Sequence, residues 1–596
     1  MQSCRANLKL SRTSSAYPRA APPTRLVVSP DASGLVKSLL VKTAILLLTF
    51  ASLAQPQLRW SVYSTAGDVN RHFVPESARE RTVAALKKLH IQHVFVEGRR
   101  GDEYVSPDNL RLVRDYLVKQ GFAVSGGIAT VPGKSWGVRQ DTHLGWLNYQ
   151  KPKTQQEIAQ FFRENAAVFD EIIVDDFYCT GDTSPESEKA RGSKAWGDYR
   201  RDLMVGLIDP MIIKPARSVK PNVRLIIKYP QWYDRFHMFG YDPPRSSPRF
   251  NQVWVGTEVR NPQTQRMGYV QPTEGYMNFR WLQSISGDAV VGAWFDHIEC
   301  TAQNFVDQAY QSVLAGAREL TLFNLGDVVR GHPGHAPYVT ALSELEELSR
   351  KVRGKPLRGI AYYKPPASDA DENLWLMDYL GMVGLPIAPV SKYPADFREV
   401  FLGVQAAADP QIVNRMKQHL QQGATLILTP AFVRKVPAAA PLAGVSVGEV
   451  SKPGVVYETG TPLEVDLSLK AGSASIAVTG TESGRTVAVL TSQAAGGGQV
   501  FVLNVRTFNE KDYKDTGEWL LSPKQLGLPA VSQVLADHLR RELLRPLGIE
   551  LNAPSGVAFY MIGESKCFYN FRNETVEIKL NQEAIKLGAN RALWKN

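Results

Sequence analysis

The chain has 596 residues, enough for three or four domains, or for one large barrel with one or two smaller units. Apolar residues make up 44% and charged residues 21%. That usage excludes wholesale disorder, collagen and coiled coil, and a single long apolar run excludes a polytopic membrane protein. More than half of the net charge of +11 sits in residues 1–55, where seven Lys/Arg face the one acid Asp31. No Lys/Arg-dense stripe follows, so nucleic acid is not an expected partner.

The apolar run TAILLLTFASLA covers residues 43–54, after Lys37 and Lys42, with Ser52 and Ala54 placed for a cut before Gln55. This is the pattern of a secretory signal peptide, too short to span a bilayer comfortably; an uncleaved anchor helix is the competing reading. The expectation is a secreted or periplasmic protein with no stable membrane span after cleavage. The residues ahead of it are polar and rich in Pro, Ser and Arg, and no Met lies between Met1 and Met204. Residues 1–54 are therefore read as a disordered or mis-assigned extension plus the signal peptide, with a non-Met start near Val36.

Short β-branched runs follow: RWSVYST from Arg59, HVFVEG from His93, FAVSGGIAT from Phe122 and EIIVDDFY from Glu171. VRLIIKYP from Val223, NQVWVGTEV from Asn251, AVVGAWFD from Ala289 and ELTLFNLGD from Glu319 complete a set of eight. Between them lie stretches with apolar residues at helical spacing, such as SARERTVAALKKLHI and TQQEIAQFFRENAAVF. Eight alternating βα units predict a (β/α)8 TIM barrel over residues 55–355. STAGDVN after the first strand offers no Gly-rich phosphate turn, which disfavours a dinucleotide fold. The widest gaps follow strands three and four, on the face where barrel active sites are built.

LRGIAYYKP, a helix through ENLWLMDYLGMVGLP, REVFLGVQ and DPQIVNRMKQHLQQGATLILTP predict a small doubly wound α/β domain over 356–440. PAAAPLAG reads as the linker to a β-rich C-terminal domain over 441–596, interrupted by the helical pattern VSQVLADHLRRELLRPLGI. Cys179, Cys300 and Cys567 form no metal-binding pattern. A Cys179–Cys300 bridge and free buried thiols are both open.

Acids close several of the predicted barrel strands: Glu97 strand two, Asp175 and Asp176 strand four, Glu258 strand six, Asp296 strand seven. Strand five ends in Lys228, with Trp232 just beyond. Distant in sequence, these residues gather around one mouth, and paired carboxylates suit glycosidic bond cleavage. Each could instead cap a helix or bind a loop amide. Neighbouring strand residues point to opposite faces, so one of Asp175 and Asp176 is expected to act directly. Eight of the eleven Trp fall in the barrel, and Trp232 and Trp294 are the best candidates to stack on sugar rings. His297 reads as a packed loop residue, since no second His stands at a ligand spacing.

This layout of signal peptide, barrel, α/β domain and C-terminal β domain resembles that of family 42 β-galactosidases. The α/β domain resembles a class I amidotransferase fold. With no Cys between Cys300 and Cys567, it cannot perform that chemistry, and a structural role is expected. Family 42 enzymes carry Asn-Glu after strand four and a nucleophilic Glu after strand seven, where this chain has Asp175-Asp176 and Asp296. The strand-four pattern is more similar to α-galactosidase and family 31-type barrels. That resemblance implies Asp175 as nucleophile and Glu258 as general acid/base, Asp176 orienting the site.

The resulting expectation is a secreted glycoside hydrolase acting on a poly- or oligosaccharide. Asp175, Asp176 and Glu258 are its catalytic candidates; Glu97, Lys228, Trp232, Trp294 and Asp296 are its substrate-binding candidates; no metal and no cofactor is required. A non-catalytic carbohydrate-binding or cell-surface protein on a degenerate barrel is the alternative, and a metal-dependent hydrolase or deacetylase is disfavoured by the lack of a His cluster at the strand ends. Assembly into a homo-oligomer is left open. Exported protein is expected to begin near Gln55. N-terminal sequencing that returned Met1 or an intact apolar core would contradict the cleavage.

Overall fold

A computed structural model describes residues 58–140, 142, 145–262, 271–449, 454–458, 461–505 and 532–596. The expected export segment, residues 1–54, and Cys4 lie outside the described residues.

Eight parallel strands close into a barrel: β1 Arg59–Ser64, β2 His93–Arg100, β3 Ala123–Ala129, β4 Glu171–Val174, β5 Arg224–Tyr229, β6 Gln252–Gly256, β7 Val290–Asp296 and β8 Glu319–Phe323. Each pairs with the next, and β1 closes the ring against both β8 (Arg59 opposite Glu319) and β2 (Ser61 opposite His93). Helices on the outside include Glu76–Lys88, Pro107–Lys119, Pro152–Ala166, Ala302–Leu314 and His335–Val352.

Alternation along the strands sorts the barrel interior into layers. At the base, His93 bonds Glu319 at 2.7 Å and Ser125 at 2.8 Å, and Ser125 bonds Glu171 at 2.8 Å. His93, Glu319, Ser125 and Glu171 each find a partner in this network, which buried polar groups need. Above it Tyr63, Phe95, Ile173, Ile226, Trp254 and Trp294 fill the middle. Such large rings fit because facing positions are empty. A Cβ on Gly292 would lie 2.0 Å from the Trp254 ring, and one on Gly127 would lie 2.9 Å from Tyr63. The layer above is polar and forms the candidate site.

The α/β domain carries β9 Ile360–Tyr363, β10 Ile387–Val390, β11 Glu399–Leu402 and β12 Thr425–Leu428. Its sheet does not stop at the expected boundary of 440. It continues through β15 Gly498–Leu503, parallel to β12, and antiparallel β14 Arg485–Ala495 and β13 Ser475–Glu482. The strand order β10-β9-β11-β12-β15-β14-β13 leaves the β-rich C-terminal unit to residues 532–596. PAAAPLAG is not an exposed linker: Ala440–Ala443 is a short helix, and Ala439 and Ala443 are buried. Small helix-forming Ala side chains pack there.

The C-terminal unit pairs helix Gln533–Leu544 with two three-stranded antiparallel sheets, one built on β16 Val557–Ile562 and β17 Ser565–Asn570. It docks on helix Ala302–Leu314 of the barrel. Tyr560 donates to Gln311 at 2.6 Å, and Tyr569 donates to Asp307 at 2.5 Å. Cys179, Cys300 and Cys567 are free thiols, so the Cys179–Cys300 bridge is not formed.

Burial pushes the Asp307 carboxyl up to about 7, although the Tyr569 hydroxyl and Gln303 favour its charged form. An unfolded Asp titrates near 3.9, so between those values the folded chain holds the extra proton and stability falls as pH rises. The slope from this one group is at most about 1.4 kcal/mol per pH unit. Asp307→Asn keeps an acceptor for Tyr569 and is expected to flatten that slope between pH 4 and 7, which urea denaturation at a series of pH values reads directly.

Candidate active site

Register decides which side chains reach the barrel mouth. Ile173 and Ile226 are paired, inward residues of β4 and β5. Two residues on, by the same alternation, Asp175 and Lys228 point inward side by side. β4 ends at Val174, so strict alternation ends there as well. The chain turns, and Asp176 also reaches the mouth. The opposite-faces premise therefore does not hold at this pair: both acids lie near Lys228.

Lys228 is the centre. Its Nζ lies 2.6 Å from Asp176 Oδ2, 2.8 Å from Glu258 Oε1 and 3.6 Å from Asp175 Oδ1. It stands 4.5 Å above the Trp294 ring centroid, a cation–π contact strengthened by the burial of both groups. All four charged groups are buried. The bridge limits the separations. Oxygens of Asp175 and Glu258 are held within about 6.4 Å of each other, and those of Asp176 and Glu258 within about 5.4 Å, limits set by the two contacts each pair makes with Nζ.

Arg100, which strand reading overlooked, ties the second layer. It bonds Asp175 at 3.0 Å and grips Glu97 with Nε at 3.1 Å and Nη2 at 2.9 Å. Glu97 also accepts from Tyr63 and from the Ala66 amide, each at 2.7 Å, and is fully buried. Its oxygens are committed, so it aims Arg100 and does not line a substrate subsite. Asp296 is likewise taken: Arg260 chelates both its oxygens at 2.7–3.1 Å. Trp294 is 1% exposed and packs at 4.5 Å on Tyr63, seating Lys228 from below instead of facing sugar. Trp232 is half-buried, stacked on Trp146 at 5.9 Å with planes 15° apart.

The electrostatics divide the acids. Burial raises every carboxyl here, but for Asp175 Lys228 and Arg100 outweigh it and hold the group below its ordinary value. For Asp176 burial wins, helped by Asp175 and Glu258, and the group is pushed well up. Burial also raises Glu258 against the pull of Lys228 and Arg260. Glu258 Oε2 is buried with no hydrogen-bond partner among the described residues, and it folds over Gly256, where a Cβ would meet it at 2.3 Å. Glu274, not singled out from sequence, begins the helix after β6. It is 1% exposed, and burial with Asp378 and Glu258 raises it strongly. Arg100 and Arg260 had a readable signal, since each follows a strand-end acid by two or three positions.

His297 does pack as expected, yet it is not alone. Its ring lies 5.1 Å from that of His335 and 5.3 Å from that of His332. Burial holds His297 and His335 at about 4, and each ring nitrogen of the three has a hydrogen-bond partner. Among the described residues no group of His, Cys, Asp and Glu is arranged to hold a metal ion.

Residues 48–343 match the family model described as "Probable glycosyl hydrolase, catalytic domain". Over that segment the barrel is similar to the catalytic domain of this family. Residues 355–462 match the second domain of the uncharacterized protein SSO3021. That protein, from Saccharolobus solfataricus, is 22% identical over 365 residues, 56% of this chain, and the match spans 60% of the relative's length. Among solved structures the barrel and its following domains resemble a β-galactosidase from Rahnella sp. R3, with TM-score 0.61, 12% identity and coverage of 91% and 98% of the two chains. The family 42 β-galactosidase Gan42B from G. stearothermophilus gives a TM-score of 0.60 at 11% identity, covering 90% and 98%. An α-L-fucosidase from Paenibacillus thiaminolyticus gives 0.61 at 11%, with the same coverage. At these identities the likeness is one of fold.

Removing Lys228 strands buried carboxylates without a counter-charge, a change that typically costs about 3–5 kcal/mol. Lys228→Met is expected to lose about that much, and to lose more at pH 8 than at pH 5. The acids it leaves behind bind protons more tightly when folded, so stability falls as pH rises. Urea denaturation of both proteins at the two pH values tests it; an equal loss at both would show that the acids do not depend on this ammonium.

Proposed function

We propose that the chain is an exported glycoside hydrolase that cleaves O-glycosidic bonds of an oligo- or polysaccharide by a two-carboxylate mechanism. One observation carries this reading: two acids of opposite protonation tendency, Asp175 lowered and Glu258 raised, meet on one ammonium at the barrel mouth. Environments that push two carboxyls apart are how an acid and a base are assigned in one site. The glycosyl hydrolase domain match supports the same reading.

In this mechanism Glu258 gives its proton to the glycosidic oxygen as the C1–O bond breaks, and the bonding pair leaves with that oxygen. Asp175, ionised beside Arg100 and Lys228, attacks or stabilises the anomeric carbon. Water then completes hydrolysis and returns a proton to Glu258. The close approach imposed by Lys228 suits a retaining reaction, whose carboxyls stand about 5–5.5 Å apart, better than an inverting one at about 6.5–9.5 Å. Asp176 shares the proton around Lys228 and orients the site, and Trp232 offers an aromatic face to a sugar ring.

Asp175→Asn and Glu258→Gln are each expected to lower turnover by about 10²–10⁴, the usual range for a positioned acid or base. Aryl glycosides with good leaving groups need little protonation, so they should partly restore Glu258→Gln and leave Asp175→Asn silent. A screen of aryl glycosides and polysaccharides supplies the substrate. Near-parental turnover by both variants on it would overturn the assignment.

A further inference from the structure

We infer that the α/β domain is a positioning element of the barrel site: through Lys364 and the Trp375 backbone it fixes Asp234, and so the segment from Trp232 to Tyr241. The inference rests on the glycosidase reading only for its kinetic consequence.

That segment is the loop after β5, wound as the 3-10 helix Tyr233–Phe239. Its two ends touch the site. Trp232 precedes it, and its indole Nε1 is buried without a partner among the described residues. Tyr241 follows it, and the Tyr241 hydroxyl donates to the main-chain carbonyl of Asp176. Between these ends the barrel holds the main chain, Arg200 donating to the Met238 carbonyl at 2.8 Å and the Thr180 amide to the Phe239 carbonyl at 3.0 Å, while the α/β domain holds the side chains of Tyr233, Asp234 and His237. Asp234, 1% exposed, accepts from the Trp375 amide at 2.8 Å and lies 3.4 Å from Lys364 Nζ. Tyr233 donates to Asp378 at 2.8 Å, its ring edge-on to Trp375 at 5.0 Å. His237 meets Asp369 at 2.7 Å.

Two details speak against mere domain adhesion. Lys364 is also 1% exposed and stands 4.7 Å over the Trp281 ring, so an ion pair has been buried where two apolar residues would hold the domains together at less cost. Trp375 takes a left-handed backbone conformation, φ 56°, which a bulky residue adopts only when its surroundings enforce it. Its amide is thereby aimed at Asp234. A displacement of about 1 Å in a substrate-positioning group can cost about 10² in rate, so a domain without catalytic residues still bears on the reaction.

The test uses the full chain and the double variant Asp234→Asn/Lys364→Met, which removes both charges together and strands neither. Hydrogen exchange by mass spectrometry is the readout that needs no activity. Exchange over residues 231–241 should rise at least tenfold, while β2 and β4 stay as in the parent. On a substrate that the parent hydrolyses, KM should rise about tenfold with kcat within about threefold, because the acids stay on Lys228 while the Trp232 face is lost. Lys364→Met alone, which leaves Asp234 without its cation, should be worse than the double variant in exchange. Unchanged exchange over 231–241 overturns the inference whether or not any substrate is found. Unchanged KM with raised exchange would reduce Asp234 to a structural tie and overturn the positioning role. A parent that hydrolyses nothing refutes the glycosidase reading, and exchange alone then decides whether the domain holds this segment.

Discussion

The site depends on one buried ammonium. Lys228 stands within bonding reach of Asp176 and Glu258, with Asp175 at 3.6 Å, and burial leaves their repulsion weakly screened. Three carboxylates that close could not ionise in low dielectric without it. The ammonium in turn needs support, which comes from the Trp294 face below and from the acids themselves. Burial, usually the reason a Lys loses its proton, is outweighed here by three negative neighbours, and Lys228 is held well above its ordinary value.

Counter-charges are still too few. Glu97, Asp175, Asp176, Glu258 and Asp296 share Arg100, Lys228 and Arg260. Arg260 is spent on Asp296, and Arg100 divides itself between Glu97 and Asp175. What remains is Lys228 between Asp176 and Glu258. One of that pair is best left protonated, and both are raised. A proton held in reserve beside an ionised Asp175 is the condition that general acid catalysis asks for.

Much of this was legible in the chain. All eight barrel strands start within two residues of the β-branched runs read from sequence, because each run is buried and bounded by helical spacing. Strand-end logic also brought Asp175, Asp176, Lys228 and Glu258 to one mouth. It failed where a side chain's role depends on its partner. Glu97, Asp296 and Trp294 stand where strand position puts them, but Arg100, Arg260 and Lys228 claim them first. Which cation claims which acid is settled by loops whose course no periodicity encodes. The domain boundary at 440 was misplaced for a related reason: β15 pairs with β12 across about 70 intervening residues, a register that local patterning does not carry.

The same non-local logic links the α/β domain to the barrel. A (β/α)8 barrel fixes its strands, and through them Asp175 and Lys228, by hydrogen bonding that every strand end shares. Its βα loops have no such frame. The loop after β5 lacks a long helix and carries a half-buried Trp232, and part of its order comes from outside the barrel. The α/β domain presents the C-terminal ends of its own parallel strands to that loop: Lys364 directly follows β9, and Gln405, three residues past β11, bonds the Asp234 carboxylate. In doubly wound sheets those ends are where ligands bind. Here they bind a loop of the neighbouring barrel, and that substitution turns an empty ligand edge into part of another domain's site.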